Sequence, residues 1–294
     1  MQTGWVCTPD AGGFFTRMRQ SAGLEASVIS AKPSLSYLPN VGRALFSFAI
    51  AALGVETLLC ARYAADSLGP QYRVIPVLPW LPPVPGIAIA FGAVLVICGA
   101  GLLSRHSARL AQLILGTLLF LSALILDLPK YLAHLGNMSL RTTLFEPLSL
   151  ATLAWLLPVA DPLPRWITRG SRYLLGLALI VFGVDHLIGL VFIATLIPAW
   201  IPWHMFWIGF FGIGFIAAGL SIGLNVLEVW GAYGIGLMFA IWVVTLHLPR
   251  VMGRYGIPGA PHNPNEWQSL LIAVALWGGP WALAGAVEAS KRPS

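Results

Sequence analysis

Long stretches of this chain carry no charge at all, and this constrains the fold more than any other feature. A helix rising about 1.5 Å per residue needs about 20 apolar residues to cross the roughly 30 Å hydrocarbon core of a bilayer. Eight stretches reach that length or nearly so, at about 44–63, 84–104, 110–128, 143–160, 173–194, 205–224, 230–248 and 267–287. In hydrocarbon every backbone N–H and C=O must be satisfied inside the protein, and a helix does so within one segment. The predicted fold class is all-α, a polytopic membrane protein with eight transmembrane helices. The fourth stretch is the shortest, with 14 uncharged residues between Glu146 and Asp161, and it spans only when Thr142 to Phe145 join the helix.

Composition excludes several classes of function. Of 294 residues, 57% are hydrophobic and only 10% charged, a balance outside the soluble range. The 17 Lys and Arg against 11 Asp and Glu leave a net charge of +6. These basic residues are scattered between apolar runs and make no phosphate-binding surface, so nucleic acid is excluded as a partner. Cys7, Cys60 and Cys98 form no C-x-x-C pair, which argues against a dithiol relay.

Sorting the basic residues by loop sets the expected orientation. Eleven fall on one side, among them Arg43, Arg105, Arg165 and Arg172, and six on the other, among them Arg62, Lys130, Arg141 and Arg250. Both termini are therefore expected in the cytoplasm, with the chain in the inner (cytoplasmic) membrane and the bilayer as its first partner. The first 40 residues contain no apolar core that could act as a cleavable signal, so the first span is the expected insertion signal. Their Gly, Ser and Pro content predicts partial disorder.

The chain also repeats itself. Gly42-Arg43 to Gly54-Val55-Glu56 matches Ser171-Arg172 to Gly183-Val184-Asp185 at an offset of 129. An offset of 120 then aligns Trp80 with Trp200, Gly92 with Gly212 and Gly99 with Gly219. The same 120 aligns Asp127-Leu128-Pro129-Lys130 with His247-Leu248-Pro249-Arg250, and Glu146 with Glu266. Four spans per half is an even number, so the second half re-enters in the orientation of the first. The expectation is two tandem four-helix bundles in parallel orientation, unlike the inverted repeats of many transporters. The organisation that follows is a cytoplasmic segment 1–40, a first repeat 41–160, a linker 161–172, a second repeat 173–287 and a cytoplasmic tail 288–294. The glycines at helical spacing serve close helix packing.

A charge in hydrocarbon costs about 2.5–3.5 kcal/mol on insertion scales, so intramembrane ionisable groups are the natural functional candidates. In the second repeat these are Asp185, His186, His247, Arg250 and Glu266, and in the first Glu56, Asp127, Lys130 and Glu146. All are expected in one polar layer towards the extracytoplasmic face. Each has a structural reading beside the chemical one. Glu56 can pair with Arg62 or reach outward. Asp127, at a helix C-terminus, opposes the macrodipole and needs a cation, with Lys130 as the obvious one. Glu146 and Glu266 stand where helix N-termini stabilise acids anyway. His204 and His262 lie among outer Trp and Pro residues, and Trp80, Trp200, Trp203 and Trp207 read as an interfacial aromatic belt. The Ile75 to Pro85 and Ile197 to Pro202 segments are too rich in proline for regular helix. Asp185, His186, His247 and Glu266 are suitable metal-ligand types, but their spacing is no ligand signature, and no metal is assigned. No phosphate loop, nucleophile elbow or H-E-x-x-H occurs, so no residue names a reaction.

The run from Arg172 to Gly183, the Gly-rich span after it, His247-Leu248-Pro249 and Asn265-Glu266-Trp267 together resemble a DoxX-like four-helix membrane unit. The first half, with Arg43, Gly54, Asp127-Leu128-Pro129 and Glu146, looks like a diverged second copy, so the resemblance covers about residues 40–287. It implies a four-helix bundle per half, extracytoplasmic redox work, a quinone as cofactor and a redox partner subunit. The expected function is a membrane subunit of a quinone-linked redox system that binds a ligand at the second-repeat polar layer. The alternatives are a carrier for a small solute or lipid, and a non-catalytic scaffold.

Overall fold

The structure, a computed structural model, describes residues 37–63, 85–256 and 262–290. The expectations for the N-terminal segment, Cys7, Trp80, the Ile75 to Pro85 segment and the last four residues lie outside these. Among the described residues there is no strand.

The helices follow the apolar runs. They are α1 (Leu38–Tyr63), α2 (Pro85–Leu103), α3 (Ala108–Ser122), α4 (Leu128–Ala133), α5 (Met138–Leu156), α6 (Arg165–Ile188), α7 (Leu190–Ala194), α8 (His204–Leu224), α9 (Glu228–Trp242), α10 (Leu248–Val251) and α11 (Pro264–Ser290). A π-helical segment, π1 (Ala123–Asp127), joins α3 to α4, and a second, π2 (Val243–His247), joins α9 to α10. Seven helical spans are long and apolar enough to cross a membrane: 38–60, 86–103, 108–133, 165–188, 204–224, 228–251 and 265–288. Large apolar side chains stand outward on them, with Ile97 at 68%, Phe48 at 63% and Trp230 at 74% exposed. Such a surface is untenable in water and ordinary against lipid. This is the architecture of a polytopic helical membrane protein.

The proline in each Leu-Pro pair explains the π segments. Pro129 and Pro249 have no N–H to give to the carbonyl four residues back, and their rings crowd it. The helix widens instead: the Leu128 N–H bonds the Ala123 carbonyl and the Leu248 N–H bonds the Val243 carbonyl, each five residues back. The two segments lie 120 residues apart. Each helix then runs on past the widened turn, so Asp127 and His247 lie inside a helix and not at its C-terminus. That corrects the expected opposition of Asp127 to a helix dipole.

α5 starts earlier than the sequence suggests, because Asn137 caps it by accepting the Leu140 N–H at 3.1 Å. Glu146 consequently sits near the middle of this 19-residue helix, not at its N-terminus, whereas Glu266 does fall in the first turn of α11. α6 also starts early, behind Pro164, and takes up Arg165 to Arg172 of the expected linker. It ends at Gly189, after which α7 makes a single short turn.

Around the molecule α1, α2, α3, α5, α6, α8, α9 and α11 each pack on the next, and α11 closes the circuit on α1. α5 and α11 also meet across the middle, and α1 and α5 are not adjacent helices in the circuit. The last long helix of each sequence half thus packs on the first helix of the other half. This departs from two self-contained four-helix bundles, and from Leu38 onward the chain is one unit. α11 is the most buried span, and α5 is buried along most of its length from Leu144 to Leu156.

Two glycine crossings fix the first helix pair of each half. A Cβ on Gly54 would lie 2.6 Å from the Gly92 carbonyl oxygen, and one on Gly183 2.5 Å from that of Gly212. A Cβ on Gly99 would lie 2.7 Å from the Ser47 carbonyl oxygen, and one on Gly219 2.5 Å from that of Gly176. Only glycine allows backbones so close. In both pairs the partners correspond at the offsets of 129 and 120 found in the sequence.

Candidate functional site

The polar layer resolves into separate groups. In the second half, π2 carries His247 at its end and α10 carries Arg250. The Arg250 guanidinium is bidentate on Glu266 of α11, Nε to Oε2 at 2.8 Å and Nη2 to Oε1 at 2.7 Å. His247 lies within electrostatic reach of this pair. Its ring makes no hydrogen bond among the described residues. These three residues come together as expected from sequence.

Asp185 does not join them. Buried on α6, it receives Nε of Arg141 at 2.7 Å and the Thr142 hydroxyl at 3.1 Å, both from α5, and Nη2 of Arg141 also bonds it. Nothing in the sequence repeat signalled this bridge, because Asp185 and Arg141 belong to different halves. Arg141 was legible only as one of the outer basic residues.

His186, although next to Asp185, points to a different neighbourhood. Its Nδ1 bonds the Phe182 carbonyl at 2.7 Å. Its ring lies parallel to Trp242 of α9, with centroids 5.5 Å apart and 12° between planes, and meets Phe215 of α8 at 5.1 Å. Trp242 precedes His247 by five residues, and a π turn places residues i and i+5 on nearly the same face. The widened turn therefore brings His247 towards the face of the α9–α10 helix that carries Trp242. Trp242 and Phe215 were missed from the sequence because aromatic residues in a span ordinarily read as packing.

The first half holds a plainer version. Asp127, at the end of π1, is 8% exposed and pairs with Lys130 at 3.3 Å. Glu56 is half-buried on α1, one turn before the buried Cys60, and makes no hydrogen bond or ion pair among the described residues. Where the second half has His186 and His247, the first has Thr57, whose hydroxyl bonds the Leu53 carbonyl at 2.7 Å, and Asp127. Glu146 is half-buried on α5. His204 opens α8, and His262 is exposed. Trp200 and Trp203 are exposed, at 64% and 78%, as an interfacial belt requires, and Trp200 donates to the Tyr255 hydroxyl at 3.3 Å.

The opposite end carries a network absent from the sequence reading. Arg172 reaches Asn225 Oδ1 at 2.6 Å and Glu228 Oε2 at 2.7 Å. This ties α6 to the tight turn between α8 and α9, in which Asn225 and Leu227 take left-handed backbone angles. Arg43, its counterpart, donates to the Leu103 carbonyl at 3.0 Å, at the end of α2. Glu228, which lies between the expected stretches 205–224 and 230–248, is a buried ion-pair partner, 2% exposed.

Among the described residues no three His, Cys, Asp or Glu side chains gather as a metal-ligand set. What remains is two groups, the parallel His186 and Trp242 rings, and the His247 imidazole with the Arg250–Glu266 ion pair. Comparison of the chain with protein-family models, with curated proteins and with solved structures gives no match.

Proposed function

We propose that the chain is a tandem, parallel duplication of a DoxX-like four-helix unit with eight membrane crossings. In this reading its second half binds a quinone-like ligand near the extracytoplasmic face, as the membrane subunit of a redox system in the inner membrane. The duplication is supported by the paired π segments and the paired glycine crossings. α5 would be the eighth crossing: its 19 residues reach about 28 Å at 1.5 Å per residue. Its Arg141, Glu146 and hydroxyl residues lower its hydropathy, and a helix enclosed by other helices needs no apolar face towards lipid. Eight crossings place both termini on one side, and the loop charges put that side in the cytoplasm.

The observation that carries the ligand reading is the parallel His186–Trp242 pair, on the helix that five residues later carries His247. The ion pairs refine the roles. Asp185 and Arg141 hold α6 to α5, and Arg250 and Glu266 hold α10 to α11, so the proton-exchanging group is His247. A buried pair of this kind is worth little beyond its own desolvation cost but is costly to break, so it suits a frame. The test is equilibrium binding of a short-chain benzoquinone to the purified protein in mild detergent. His247→Ala and His186→Ala are each expected to weaken binding at least tenfold without unfolding. Unchanged affinity in both variants would overturn the reading.

A further inference from the structure

Between α8 and α9 the outer surface carries a groove of about 710 Å³. Its lining is apolar apart from Ser221, whose hydroxyl is engaged by the Val226 carbonyl at 2.7 Å. The groove exists because of three small residues. At the offset of 120, Gly214, Ala217 and Gly234 correspond to Val94, Ile97 and Ile114 of the first half. A Cβ added to Gly214 or Gly234 would meet nothing within 4 Å, so no packing requirement explains these glycines. The half that has two histidines in place of Thr57 and Asp127 is also the half that has lost these β-branched side chains.

The groove ends one ring contact short of the His186–Trp242 pair. Phe211 and Ile241 line its outer end, Phe211 meets Trp242 edge-on at 5.5 Å, and Trp242 lies parallel to His186. We propose that the groove holds the hydrocarbon tail of the same ligand whose planar head lies at His186 and Trp242. The ligand is then a long-chain amphiphile drawn sideways from the bilayer, not a water-soluble redox compound; this rests on the head site proposed above. A partner helix fits less well. Phe210 and Leu224 on α8 and Trp230 and Leu237 on α9 stand exposed along the rims. Close helix packing at about 8–10 Å between axes needs small residues there as well. A single chain lies between such rims without displacing them.

The test compares a benzoquinone bearing a decyl chain with the same ring bearing a methyl group, in lipid nanodiscs holding the full-length protein. The readout is the ratio of the two affinities in wild type and in Gly214→Val/Gly234→Ile, which carries the first-half residues. Partitioning into the bilayer favours the decyl compound equally in both proteins and cancels. The expected ratio is at least tenfold larger in wild type, and Ala217→Ile should reduce it in the same direction. An equal ratio in wild type and double variant would overturn the groove while leaving the head site standing. Failure of both quinones to bind wild type would remove the head site and the tail groove together.

Discussion

At the scale of single residues, buried charge decides more than residue type. Asp185 and Arg141 have side chains 5% and 20% exposed and pair across the two halves. Removing one partner leaves the other buried and uncompensated, at a cost of about 3 kcal/mol. Asp185→Asn is therefore expected to lower the unfolding midpoint in mixed micelles markedly, and adding Arg141→Met should recover much of the loss. Equal and additive losses would show that the two do not depend on each other. The sequence made Asp185 a candidate because an acid inside an apolar run stands out. It could not supply the partner, since the pairing joins positions 44 residues apart in chain order and no periodicity encodes it. Asp127 with Lys130, three residues apart on one helix, was legible for the opposite reason. His186 shows the remaining limit: its neighbour in sequence is Asp185, and its neighbours in space are Trp242 and Phe215.

At the scale of elements, seven of the eight stretches expected from hydropathy are helices apolar enough to cross a membrane, and their internal irregularities were not readable. The spans 108–133 and 228–251 contain π turns because Pro129 and Pro249 remove a donor inside a helix that packing holds continuous. Sequence rules read such a proline as a helix end. Thr245, whose carbonyl would have received the missing Pro249 N–H, instead accepts the Tyr255 hydroxyl at 3.4 Å. Pro249→Ala restores that donor, so the π turn is expected to tighten to an α turn and swing His247 off the face it shares with Trp242. Quinone affinity should fall at least tenfold while far-UV circular dichroism stays unchanged; retained affinity would mean that the widened turn does not position the histidine. The glycine crossings give a paired expectation. Gly54→Val and Gly183→Val force a side chain into a backbone contact, and each should cost about 1–3 kcal/mol. The two losses should be alike, since the crossings correspond, whereas Gly214→Val should leave stability unchanged. Unequal losses measured in one unfolding assay would count against equivalent halves.

At the scale of the whole molecule, the exchange of fourth helices makes the halves interdependent. α5 packs on α6 and α11 on α1, so a half alone exposes faces that only the other half covers. Chains 1–162 and 163–294 expressed together are expected to co-purify, and each alone to be degraded; two independently stable halves would contradict the closed packing. The two offsets were visible in the sequence, but the packing of α5 on α6 and of α11 on α1 was not, because offsets report correspondence and say nothing about which helix fills a place. The measurement that bears most directly on the proposed function is an absorption spectrum, metal assay and organic extract of the protein purified from its native membrane in mild detergent. The expected result is a stoichiometric quinone in the wild-type extract that is lost in His247→Ala. An extract without quinone, from protein that still binds none when quinone is added, would contradict a redox ligand site and leave the carrier or scaffold roles for this fold.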